Sequence, residues 1–242
     1  MRLALVYART QTLELLRFPG FSIATLGFPA LFFLLFGLPR AGEHPEVLVA
    51  SYAAFAVLGV GFFQFGVSAA IERVTPWATY LRTLPAPSVA RLAGRVLAAL
   101  FFAAASVAVL LVVALATTSA GLDAARWARL VVGLLLGSVP FVTLGVAVAY
   151  WSSPKSALPV ANVLYMLLAY AGGLWTGPGD LPRQVMRISP YTPTRQWGDV
   201  LWQAVAGASW GARHWVALAA YTLVFGALAA WGYRRDEGQR FR

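Results

Sequence analysis

The chain contains no cysteine. Disulfides, thiol catalysis and thiolate metal sites are therefore excluded. Charge is also scarce: Asp, Glu, Lys and Arg make up 12% of the 242 residues, against roughly a quarter in soluble domains. Histidine occurs only at His44 and His214, and no His-Glu-x-x-His is present. A zinc peptidase, or any metal site of that kind, is not expected. No Gly-x-Ser-x-Gly elbow occurs, and no serine has a readable base beside it. Glu43 and Glu46 flank Pro45 in a short loop and read as solvated charges rather than a catalytic pair. The sole lysine, Lys155, lies in Ser152-Ser153-Pro154-Lys155-Ser156, which lacks the glycines of a phosphate loop. The chain has no route to hydrolyse ATP through such a loop. No catalytic residue is expected. A cleavable signal peptide is not expected either, because Arg2, Arg9, Glu14 and Arg17 interrupt the first twenty residues.

What is present is apolar. Hydrophobic residues account for 60% of the chain, and the mean hydropathy is +0.69. A compact core of this size cannot hide them all, whereas a bilayer accepts them. Six windows have about the length that spans the hydrocarbon: 21–38, 48–70, 96–117, 130–150, 157–175 and 215–233. None contains Asp, Glu, Lys, Arg or His. The expected class is an all-α integral membrane protein with six transmembrane helices, forming one domain over 1–242.

Loop charge gives the orientation. With the N-terminus inside, segments 1–20, 71–95, 151–156 and 234–242 carry twelve Lys and Arg, and the outer segments 39–47, 118–129 and 176–214 carry seven. Both termini are thus expected in the cytoplasm of a multi-pass plasma-membrane (in a bacterium, cell inner membrane) protein. Trp127, Trp151, Trp175, Trp215 and Trp231 fall near span ends, as interfacial anchors do. The net charge of +10 is scattered among short loops. A nucleic-acid footprint would cluster on one face, so no nucleic-acid partner is expected.

Three segments do not span. Residues 3–17 read as a helix, with Leu5, Val6, Leu13 and Leu16 on one arc and Tyr7, Thr10, Gln11 and Glu14 on another. Arg9 falls within the apolar arc and has to snorkel. Such a helix lies along the interface before the chain turns in at Pro19-Gly20. A plain polar lead-in is the alternative. Residues 71–95 contain a short helix with readable ends. Thr75 suits the N-cap and Pro76 the first turn, while Pro85 and Pro87 stop it. Trp77, Tyr80, Leu81 and Leu84 form one apolar face, opposite Ala78, Thr79, Arg82 and Thr83. Residues 176–214 hold two short helices. Asp180 is expected to cap the first, running to Ile188. Thr194 is expected to cap the second, which presents Trp197, Val200, Leu201, Ala204 and Val205 on one face.

Ion-coupled carriers usually keep ionisable groups inside the membrane. Here the polar residues of the windows are mild, among them Gln64, Ser68, Ser106, Ser138, Thr143 and Asn162, a set more typical of helix–helix contacts. With no phosphate loop of its own, a chain that does ATP-driven work must take the energy from another chain, and the capped helix at 75–84 is the natural port. An ion-coupled carrier, whose backbone carbonyls bind sodium, is the alternative. A membrane scaffold, or an enzyme without a readable site, is another.

This layout resembles the ABC-2 type permease subunits of ATP-binding-cassette exporters, especially the small drug-exporter-like members. The inner loop, Glu72-Arg73 followed by Tyr80-Leu81-Arg82-Thr83-Leu84-Pro85, is similar to the family's loop after the second span. The stretch Leu181-Pro182 to Ile188-Ser189-Pro190-Tyr191-Thr192-Pro193-Thr194 resembles its outer re-entrant segment. The resemblance covers nearly the whole chain. It implies two permease subunits, identical or related, above two cytoplasmic ATPase subunits. ATP and Mg would be bound by the ATPase partner, and this chain would bind no cofactor. The 75–84 helix becomes a coupling helix, with Glu72, Arg73, Thr75, Trp77, Tyr80, Leu81, Arg82 and Leu84 as the coupling residues. Glu72 would anchor the loop and Arg82 would meet the ATPase. The substrate path is implied between the second and fifth spans, at Phe62, Phe63, Gln64, Asn162, Tyr165 and Met166. Its aromatic lining suits an amphiphilic or hydrophobic cargo.

Overall fold

The computed structural model describes residues 2–42, 44–76, 80 and 88–240, which are helical with no strand among them. The elements are α1 (Arg2–Leu16), α2 (Pro19–Phe32), α3 (Pro45–Val60), α4 (Ser88–Thr117), α5 (Ala124–Gly137), α6 (Val139–Trp151), α7 (Pro154–Ala171), α8 (Arg183–Ile188), α9 (Pro193–Val205) and α10 (Ala212–Arg240). Two helices continue in other geometries. α2 runs on as a π segment, Phe33–Gly37, and a 3-10 turn, Leu38–Arg40. α3 runs on as a π segment, Gly61–Ser68, before a last α turn, Ala69–Glu72.

Among the described residues, four stretches are long and apolar enough to cross a bilayer: Pro45–Glu72, Ala90–Thr117, Ala124–Trp151 and Ala212–Asp236. Length and composition alone thus support four spans where six windows were expected. The first window is a shorter apolar helix, Thr25–Arg40. The fifth window lies in α7, whose 18 residues include Lys155, Pro159 and Asn162 and would reach only about 27 Å.

Proline sets several of these ends. Pro19, Pro45, Pro154 and Pro193 each open a helix, where the missing N–H costs nothing. Pro29 sits inside α2 and cannot donate to the Thr25 carbonyl. Ser106 Oγ of α4 donates to that carbonyl instead, at 2.9 Å. Asp123 caps α5 by accepting from the Arg126 amide at 2.8 Å. Ser153 and Ser156 form a capping box on α7.

The outer caps differ from expectation. Asp180 does not cap α8, which begins at Arg183 after Pro182 and has no side-chain cap. Thr192, not Thr194, caps α9. Pro193 forces the residue before it into an extended conformation, which is the N-cap geometry. Thr194 is then free to donate to the Leu168 carbonyl of α7 at 2.6 Å.

α3 is the central element: 72% of its apolar window is buried, against 17% for α10. The main core gathers Tyr52, Phe55 and Leu58 of α3, Phe141 of α6, Tyr165 of α7, and Trp197, Val200 and Leu201 of α9. α9 lies within this core, with all five residues of its expected face buried. α6 crosses the π segment of α3 backbone to backbone, where a Cβ at Gly145 would lie 2.4 Å from the Gly61 carbonyl oxygen. α1 has no buried residue. Its Ala4, Tyr7 and Ala8 approach Gly94 of α4. Leu5, Val6, Leu13 and Leu16 are exposed and point away from the chain, so half of the arc expected to be polar is the one that packs.

Candidate functional site

A cavity of about 290 Å³ opens between α2, α3 and α7. α2 contributes Thr25, Phe28 and Pro29, and α3 contributes Ala56, Gly59, Val60 and Phe63. α7 closes it with Leu158, Asn162 and Tyr165, one turn apart along a single helix face. The Tyr165 ring stacks on Phe55 with centroids 4.5 Å apart and planes at 10°. Its hydroxyl donates to the Phe55 carbonyl at 3.1 Å. Phe63 meets the same ring edge-on at 5.6 Å. Tyr165 is thereby fixed by three contacts, and its polar atom is spent on the backbone. Asn162 is exposed and supplies an amide, and Thr25 a hydroxyl, to a wall that is otherwise mostly apolar.

Of the six residues expected on a substrate path, Phe63, Asn162 and Tyr165 line this cavity. Phe62 and Gln64 do not, since both are fully buried in the bundle. Met166 packs half-buried against the main core. Phe62 and Gln64 flank Phe63 in the π segment, so their side chains leave α3 toward other sides. Both amide atoms of Gln64 lack a hydrogen-bond partner among the described residues. An unpaired buried amide inside a π run is uncommon and costly. The α2 wall was not expected. Its only sequence signal was Pro29 in mid-window, four residues after Thr25.

At the other end of α3 a second group of side chains meets. Glu72 forms an ion pair with Arg95 of α4. Thr75 Oγ1 donates back to the Glu72 carbonyl at 2.7 Å, closing the turn. Arg73 reaches partners on two other helices. It pairs with Asp236 of α10, donates to the Ser152 carbonyl at 2.9 Å, and lies 5.8 Å from the centre of the Tyr150 ring. Tyr80 is exposed. Trp77, Leu81, Arg82 and Leu84 lie outside the described residues.

At the far end of the bundle His214 is buried among α9 side chains. Arg213 Nε donates to its Nε2 at 3.2 Å, which leaves the proton on Nδ1, 2.7 Å from Gln196 Oε1. Asp199 stands 3.7 Å away and is held by Arg195 at 3.1 Å. The network ties α9 to α10. Among the described residues no group of three His, Cys, Asp or Glu could hold a metal ion.

The family model described as ABC-2 type transporter matches residues 3–197. No curated protein and no solved structure shows significant similarity to the chain.

Proposed function

Because the chain belongs to the ABC-2 type transporter family, we propose that it is the membrane-spanning permease subunit of an ATP-driven exporter, with ATP hydrolysed by a separate subunit. As a member it is a multi-pass membrane transport component and not itself the catalyst. The finer reading has six spans, with α2 and α7 added to the four long helices. Both termini lie in the cytoplasm, and a second permease copy completes the path. The observation that carries it is the cavity between α2, α3 and α7, which is walled mostly by apolar side chains, with the Asn162 amide and Thr25 as polar groups. Such a site accepts the apolar body of an amphiphile and orients its polar end. The same α3 ends at Glu72 and Arg73, where the connection to α4, expected to be the coupling loop, begins. In this reading the loop docks on the ATPase through Trp77, Tyr80, Leu81, Arg82 and Leu84.

Two measurements test it. The purified chain should capture an ABC ATPase subunit, and Trp77→Ala with Leu81→Ala should weaken that capture about tenfold or more, as loss of two central apolar anchors does. Wild-type capture by the double variant would remove the coupling role from this helix. The second variant, Asn162→Trp, fills the cavity from an exposed position. Efflux of a lipophilic fluorescent dye from inside-loaded vesicles should fall about tenfold, while ATPase capture stays at the wild-type level. Efflux that ignores ATP and collapses with an ionophore would instead favour an ion-coupled carrier.

A further inference from the structure

We propose that Asp236, near the end of α10, is a positioning residue that holds the start of the 74–87 loop by fixing Arg73. The inference rests on the permease reading only for what the loop does, not for how it is held.

Three strands of observation converge. First, Arg73 sits at the point where α3 ends and the loop begins, and its guanidinium is largely enclosed, at 15% exposure. Asp236 is enclosed to a similar degree, at 19%. A pair so sheltered is screened little by salt, and removing one partner leaves the other charge enclosed without compensation. Second, Arg73 also reaches the end of α6, at the Ser152 carbonyl and the Tyr150 ring. A planar guanidinium bridging a carboxylate and a carbonyl has little freedom left, which lysine could not reproduce. Third, the ends of α6 and α10 are locked to each other. The Trp151 indole donates to the Leu228 carbonyl at 2.9 Å. Trp151 meets Trp231 at 4.9 Å, and Tyr150 meets Tyr233 at 5.4 Å, both near edge-on.

The arrangement makes a mount. α6 and α10 form one rigid piece at this end, and Arg73 bolts the loop to it. Glu72 and Arg95 fix the neighbouring residue to α4. A partner that moves the loop therefore moves α6 and α10 with it, and α6 bears directly on the π segment of α3 through Gly145. Without Asp236 the loop keeps its α4 anchor but loses the ion pair to α10, so the stroke is transmitted incompletely.

The test uses two readouts on the full chain. Amide hydrogen exchange of residues 69–76 is measured on the chain alone in lipid nanodiscs. kcat and KM for ATP are measured on the complex with its ATPase. Asp236→Asn should raise exchange about tenfold or more, because a charge-assisted bond is lost. It should lower kcat about two- to thirtyfold and leave KM for ATP unchanged, since the nucleotide site is not touched. Asp236→Glu should restore both readouts, whereas a merely structural role would restore thermal stability without the kcat effect. Exchange of residues 69–76 at the wild-type rate in Asp236→Asn overturns the inference, as does a change in KM with kcat intact. If no ATPase binds the wild-type chain, the permease reading fails, and the exchange readout alone decides this proposal.

Discussion

Trp197→Ala should destabilise the bundle by about 3–5 kcal/mol, the range for removing a fully buried aromatic. Among the described residues Trp197 is the largest side chain that is completely enclosed. Its indole N–H donates to the Gly133 carbonyl of α5 at 2.9 Å. Its ring packs 5.0 Å from Phe141 of α6. It also lies directly over Gly137, so close that a Cβ there would fall 2.2 Å from the ring. α5, α6 and α9 therefore share one contact surface, and its loss leaves a void that helices fixed at both ends cannot close. The check is thermal unfolding in detergent, with Trp197→Phe beside it. Phe keeps much of the apolar ring and forfeits only the indole hydrogen bond, so it should cost less, about 1–3 kcal/mol. Equal losses for Ala and Phe would mean that the bond, not the volume, holds the site.

Gly145→Val should be comparably damaging. A Cβ at this position meets the Gly61 carbonyl oxygen at 2.4 Å and the Phe65 Cβ at 3.3 Å. Backbone cannot rotate aside as a long side chain can. The two helices have to part, and overpacking of this kind costs at least about 1–3 kcal/mol. Gly226→Val on α10 is the control, since no atom lies within 4 Å of the added Cβ. Unfolding midpoints of the two variants should diverge: Gly145→Val falls by several degrees and Gly226→Val stays near wild type. Wild-type stability for Gly145→Val would show that the crossing of α3 and α6 is looser than its geometry.

What could be read in the sequence was whatever short-range periodicity encodes. The apolar face of α9 was legible because Trp197, Val200, Leu201, Ala204 and Val205 recur at helical spacing, and all five are buried. The apolar windows were legible from length, although the first and fifth fall in shorter elements. Caps were read less well. Asp180 and Thr194 are good capping types, but Pro182 and Pro193 dictated where α8 and α9 begin. The side of α1 that packs could not be read from α1, because Gly94 of α4 decides it. The cavity was half legible. Phe63, Asn162 and Tyr165 were expected, whereas Phe62 and Gln64 are turned into the bundle. The π segment that turns them has no compositional signature, since it differs from α geometry by one residue per hydrogen-bonded turn. Arg73 and Asp236 stand 163 positions apart, and no local rule joins them.

The π run at 61–68 also holds slack. Its turns close over one residue more than α turns, so the rod is wider and shorter there than its residue count requires. Tightening it would lengthen and rewind α3 with no covalent change. The end that lines the cavity and the end that carries Glu72 and Arg73 would then twist against each other, like the two grips of a torsion spring.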